Sequence, residues 1–280
     1  MIYRSTAIGF GVLLTLLCSL LMAGAQNFEG TNLSSHTLPY DTPPYSYEGS
    51  RLLSITFKTS PEVLRTMVPE PLMPNPENMM SIIVCDYHIT RPIDFSYLEA
   101  VLAVPVSHDD FGGNYLPVLY LDKTIPIIGG REIWGFSKVD AKIMMSEKGR
   151  TVSASVVRNG TTLIKMTAQL GEPVVPIPEI PNNPYLNLKL IPSVIEGAPP
   201  DVKQLTSTIA GDVKIQEVRI GTGKIVLDSQ PSDPLGSIPV VEIVDASYQE
   251  MDFVLDYGEV VFDYLHQHNK ATSNQASSEP

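Results

Sequence analysis

The stretch Ala141–Ala168, AKIMMSEKGRTVSASVVRNGTTLIKMTA, reads as three successive strands joined by two tight turns. Thr151–Arg158 alternates apolar and polar residues, as a strand with one buried face does, and Ala141–Ser146 and Thr162–Ala168 flank it. Asn159-Gly160 is the dipeptide that tolerates positive φ at both central positions of a hairpin turn. Glu147-Lys148-Gly149-Arg150 supplies the other reversal. Antiparallel meanders of this kind set the expectation for the whole chain.

Working outward, the same signals recur. Leu52–Lys58 alternates, and Ser81–Ile89, Val101–Ser107 and Tyr115–Leu121 read as strands. So do Leu186–Ile191, Asp201–Thr208, Asp212–Ile220, Gly223–Leu227 and Pro239–Tyr248, with Gly221-Thr222-Gly223 read as a turn and Tyr257–His266 as a final strand and short helix. Ser60 is placed to cap a short helix with Pro61 at its first position and Glu62 in its first turn, ended by Pro69 and Pro71. With 24 prolines and 19 glycines in 280 residues, turns are frequent enough to disfavour a helical bundle.

Residues 1–25 have the build of a secretion signal: Arg4, an apolar run from Ala7 to Met22, then Ala23-Gly24-Ala25. A membrane anchor is the competing reading, with an apolar run slightly short of the ~20 residues that span a bilayer. Residues 26–43 form a polar lead-in, 44–268 one domain, and 269–280 a polar tail expected to be disordered. Removing 1–25 removes Arg4 alone among charged residues, so the net charge of −12 becomes −13. That balance disfavours nucleic acid and anionic lipid as partners. Cys18 leaves with the signal, so Cys85 has no partner in the same chain, and its apolar neighbours mark it as buried and inert.

The chemistry concentrates at Gly130-Arg131-Glu132-Ile133-Trp134-Gly135-Phe136-Ser137-Lys138. Lys138 lies among apolar residues, and loss of hydration disfavours an ammonium. A neutral amine attacks a ketone and forms an imine. Taken alone, a lysine flanked by aromatics is more often a surface residue with a snorkelling side chain. His88, His108, Asp109 and Asp110 show no metal-ligand spacing, and no metal is expected. No esterase nucleophile elbow occurs.

The segment resembles the active-site region of the acetoacetate decarboxylase family. The Gly-Arg-Glu motif, the aromatic Phe136 and the nucleophilic lysine at 138 fall in order. Pro44-Tyr45, Val68-Pro69-Glu70-Pro71-Leu72, Tyr97-Leu98-Glu99, Tyr120-Leu121-Asp122 and Phe262-Asp263-Tyr264-Leu265 extend the likeness over residues 44–265. The family's enzymes are themselves the general example of a lysine activated by its surroundings.

The resemblance implies a mainly β (α+β) fold, an antiparallel β-barrel or cone with a few short helices. It implies Schiff-base decarboxylation of acetoacetate or a related 3-oxo acid, without a cofactor, and permits a homo-oligomer. Lys138 would be the nucleophile, and Glu99 a catalytic carboxylate that orients the substrate, steers it by charge repulsion or manages a proton. Arg51 is a candidate for the substrate carboxylate, one residue out of register. Tyr115, Trp134 and Phe136 would shape the pocket, and Arg131 and Glu132 would brace the loop as an ion pair. Two departures stand out: Val139 replaces the family's second lysine, and Ser137 replaces a proline. They leave open a lysine-dependent aldolase or dehydratase, or a non-catalytic secreted binder of small oxo acids.

Overall fold

The computed structural model describes residues 39–109 and 111–266. The signal at 1–25, most of the lead-in, the tail at 269–280 and Asp110 lie outside the described residues. Fifteen strands follow one another: β1 Tyr45–Lys58, β2 Met73–Pro74, β3 Met79–Arg91, β4 Phe95–Ser107, β5 Gly112–Tyr115, β6 Leu119–Leu121, β7 Lys138–Asp140 and β8 Lys142–Lys148. Then come β9 Thr151–Arg158, β10 Thr161–Pro173, β11 Tyr185–Ile191, β12 Val202–Thr208, β13 Ala210–Leu227, β14 Glu242–Leu255 and β15 Glu259–Asp263. Helix α1 spans Pro61–Met67, and helix α2, Thr124–Gly129, runs into a π-helical turn at Gly130–Trp134.

The strands form one open sheet in the order β15-β12-β11-β5-β4-β3-β1-β14-β13-β10-β9-β8, with β2, β6 and β7 attached through β4. The fold is mainly β, as expected, but the sheet is open, so barrel or cone describes it only loosely. Pairing is antiparallel except for β5–β11 and β6–β7. The meander read from the sequence is β8–β9–β10, and its turns have φ of 60° at Gly149, 49° at Asn159 and 82° at Gly160. Ser60 caps α1 by accepting a hydrogen bond from the Val63 N–H. Leu64, on that helix, is fully buried, worth roughly 1.5–3 kcal/mol.

Three elements differ from the sequence reading. Tyr115–Leu121 is not one strand: Pro117 has no N–H to give a ladder, and β5 and β6 part there. Gly221-Thr222-Gly223 is not a turn but the middle of the 18-residue β13. A Cβ at Gly221 would sit 2.0 Å from the Gln169 carbonyl, and one at Gly223 would sit 2.7 Å from Ile55 Cδ1, so these glycines serve close approach. Tyr257–His266 contains β15 but no helix.

Strand alternation divides the interior in two. Leu53, Ile55 and Phe57 of β1, with Val152, Ala154 and Val156 of β9, belong to a main core. The opposite face of β1, β3 and β4 carries Tyr47, Cys85 and Tyr97 into a second, aromatic cluster. A register shift against β14 between Tyr47 and Ser50 on β1, where Gly49 takes φ of 60°, exchanges the faces. Tyr45 and Tyr47 before it, and Leu52 after it, therefore point into the same pocket.

Candidate active site

Each functional side chain here is set by strand parity. On β4 the odd residues Tyr97, Glu99, Val101 and Ala103 line a cavity of about 140 Å³. Glu99 lies opposite Cys85 on β3 and opposite Leu121 on β6. Lys138 begins β7 and lies beside Leu119 of β6, which in turn faces Val101. The ladder thus brings Lys138 and Glu99 to one face. Lys138 Nζ lies 2.9 Å from Glu99 Oε2, and both side chains are nearly buried, at 7% and 6% exposure. The contact is one of charge proximity; its angles do not make it an aligned hydrogen bond.

The loop before Lys138 is built to admit its stem. A Cβ on Gly130 would fall 2.6 Å from Lys138 Cδ and 2.8 Å from Cε, so glycine leaves the path clear. Gly135 closes the π-helical turn at φ 78°, and a Cβ there would lie 2.6 Å from Lys189 Cα. Thr206 donates to the Trp134 carbonyl at 2.6 Å, Lys189 to that of Ile133 at 3.1 Å, and the Trp134 indole to that of Asp256 at 2.9 Å. The Lys138 ammonium position lies 5.0 Å from the Phe136 ring centre and 5.8 Å from that of Tyr97.

The proposed bracing residues act separately. Arg131 donates to the Lys138 carbonyl at 3.1 Å, while Glu132 accepts from the Tyr40 hydroxyl at 2.5 Å. The ion pair expected between them is replaced by these two contacts. Trp134 and Phe136 line the cavity.

Arg51 and Tyr115 do not line it. Arg51 pairs with Asp86 on the sheet face opposite Leu52 and Cys85, with nearly half its side chain exposed. One residue of register decides the face, and Leu52 takes the pocket side. Tyr115 faces the main core, while its neighbour Asn114 faces the cavity.

The sequence reading missed most of the cavity wall. Tyr45, Tyr47, Tyr87 and Tyr185, with Phe253 and Leu255, supply it, and Pro39, Tyr40 and Asp41 reach it from the end of the lead-in. Tyr47 stacks on Phe253 at 4.4 Å and meets the edge of Tyr87 at 5.3 Å. Burial pushes the phenols of Tyr47, Tyr87 and Tyr97 well up, and that of Tyr185 up to about 12. It also raises the Cys85 thiol, which is 1% exposed, with the Glu99 charge adding to the effect. Such a thiol is protonated and unreactive at neutral pH.

No group of three or more His, Cys, Asp or Glu among the described residues could hold a metal. His88 pairs with Asp94 at the surface, and the His108 ring stacks on Phe111. No helix of the described residues is long and apolar enough to cross a membrane.

The acetoacetate decarboxylase family model matches residues 33–265. The chain belongs to the acetoacetate decarboxylase family. An acetoacetate decarboxylase of Ralstonia nicotianae is 31% identical over 241 residues, covering 81% of this chain and 92% of that protein. A solved acetoacetate decarboxylase structure superposes with a TM-score of 0.76 at 25% identity, covering 85% of this chain and 97% of that one. The enduracididine biosynthesis enzyme MppR, complexed with the condensation product of pyruvate and imidazole 4-carboxaldehyde, shares the fold at a TM-score of 0.73 but only 14% identity. That match covers 84% of this chain and 96% of that one.

Proposed function

We propose that the protein decarboxylates a small 3-oxo acid through an imine on Lys138. The observation that carries this reading is the nearly buried Lys138–Glu99 pair, 2.9 Å apart in an otherwise apolar and aromatic cavity. The ammonium gives its proton to Glu99, and the freed amine adds to the ketone carbon. Glu99 returns the proton to the carbinolamine oxygen, water leaves, and a protonated imine results. The C1–C2 bond electrons then flow into the iminium, CO2 departs and an enamine remains. Protonation at C2 and hydrolysis release the ketone and restore the amine.

In the family's decarboxylases a second lysine follows the nucleophile; Val139 stands there in this chain. The carboxylate within hydrogen-bonding reach supplies an alternative route for the proton, because moving it leaves amine and acid both neutral. In apolar surroundings a neutral pair avoids the desolvation cost of two charges. A second reading, an imine-forming aldolase or dehydratase, is favoured by the likeness in fold to MppR and by the absence of Arg51 from the cavity. A panel of 3-oxo acids, followed by CO2 and ketone release with wild type and Lys138→Ala, separates the two. Ketone and CO2 formed only by wild type support decarboxylation. A trapped imine without CO2 release supports the second reading. Secretion, read from residues 1–25, belongs to the same proposal and is tested by N-terminal sequencing of exported protein.

A further inference from the structure

A 3-oxo acid carries an anion into a cavity where, among the described residues, Lys138 is the only cation. Apart from tyrosines and Cys85, the ionisable residues lining it are Asp41, Glu99 and Lys138, and Lys138 is committed to the ketone. The wall does hold one unusual donor. The hydroxyls of Tyr47 and Tyr97 lie 3.2 Å apart, both buried. Two hydroxyls have two protons, and the bond between them uses one. Among the described residues neither phenol makes another side-chain hydrogen bond, so one O–H is left with no protein acceptor. Buried polar groups are nearly always satisfied, and because both tyrosines line the cavity a molecule entering it can supply the missing acceptor.

The position suits a carboxylate. Tyr97 is two residues before Glu99 on the same face of β4, and its ring centre lies 5.8 Å from Lys138 Nζ. Tyr47 is fixed by its stack on Phe253. We propose that the Tyr47–Tyr97 hydroxyl pair binds the carboxylate of the substrate, in place of a cationic side chain. This rests on the Schiff-base reading above and adds the recognition of the leaving group. Both phenols stay protonated at neutral pH because burial disfavours the phenolate.

A neutral donor also suits the reaction. Hydrogen bonds to a charged acceptor are strongest when the donor is charged too, so a guanidinium would stabilise the carboxylate most before it reacts. As the C1–C2 bond breaks, the carboxylate charge moves to the iminium and CO2 leaves neutral. Phenols give up less stabilisation in that step, which favours the transition state over the bound acid.

The test compares two carbonyl compounds that differ in the carboxylate. Wild type, Tyr47→Phe, Tyr97→Phe and the double variant are incubated with borohydride and either acetoacetate or acetone, and the adduct is read by intact mass. Phenylalanine keeps the ring and its packing, and thermal melts confirm folding. Each single variant leaves one phenol free to donate, so the double variant decides: the expected result there is a rise of at least about tenfold in the acetoacetate concentration for half-maximal trapping, with the acetone value moving less than twofold and each single variant falling between wild type and the double variant. Unchanged acetoacetate dependence, or a parallel loss with both compounds, overturns the assignment. Wild type trapping neither compound overturns the Schiff-base reading itself, and the tyrosine assignment with it.

Discussion

Among the described residues two carboxylates in ion pairs are buried, Asp233 beside Arg158 and Glu99 beside Lys138, and they are finished differently. Asp233, 5% exposed, accepts from Arg158 at 2.7 Å, Tyr120 at 3.0 Å, Gln230 at 2.6 Å and Ser232 at 2.7 Å. Burial alone would raise its carboxyl, but those hydrogen bonds together outweigh it and hold the group below the usual carboxylate range. Glu99 is as buried and touches Lys138, yet its Oε2 has no aligned hydrogen bond, and the amine's other near neighbours are aromatic rings. A saturated pair has nowhere to send a proton and serves as a clamp. An unsaturated pair in apolar surroundings can move one, and that is the difference between a structural ion pair and a reactive one.

The contrast is broken most severely at Lys138, the proposed nucleophile. Lys138→Ala should abolish ketone release and borohydride adducts while the protein still folds; residual turnover with a 3-oxo acid would place the chemistry elsewhere. Glu99→Gln removes the proton acceptor but keeps the shape, and kcat should fall about 10²–10⁴-fold with the melting curve little changed. On the structural side, Asp233→Asn should cost about 3 kcal/mol in denaturant unfolding, by leaving Arg158 short of its carboxylate, and should leave turnover per folded molecule intact. The pH dependence has a definite sign. A carboxyl whose folded pKa is lowered contributes stability present above its unfolded value of 3.8 and lost as pH falls through the folded one. Wild type should therefore lose stability below about pH 4 more steeply than Asp233→Asn.

Smaller perturbations sharpen the picture. Gly130→Ala places a methyl group against the Lys138 stem and should displace the amine by a fraction of an ångström to an ångström. A loss of about 100-fold in kcat/KM, with near-normal stability, is expected. Arg51→Ala should change stability by no more than about 0.5 kcal/mol and leave kcat/KM unchanged. A large rise in KM would return Arg51 to substrate binding, against its place beside Asp86.

The sequence made the meander legible because period-2 alternation and Asn159-Gly160 are local signals, and Thr151–Arg158 emerges with the bounds its pattern predicted. The Ser60 cap is equally local. Lys138 and Glu99 were legible only through the family resemblance, since nothing local shows that β4, β6 and β7 lie side by side. The tyrosine wall was hidden for a related reason. Its parity depends on the register shift at Gly49, and two side chains 50 positions apart, Tyr47 and Tyr97, meet only once β1, β3 and β4 have paired. The same shift explains Arg51, whose chemistry fits a carboxylate but whose strand position points it away. Gly221 and Gly223 misled because a glycine needed for close approach looks the same in sequence as one needed for a turn.

The most direct measurement is peptide mapping after borohydride reduction in the presence of acetoacetate. The account predicts a single reduced adduct, carrying the ketone's carbon skeleton, on the peptide that contains Lys138, with none on the exposed Lys123 or Lys142. An unmodified Lys138 under conditions where acetoacetate is consumed, or an adduct spread over surface lysines, would contradict it.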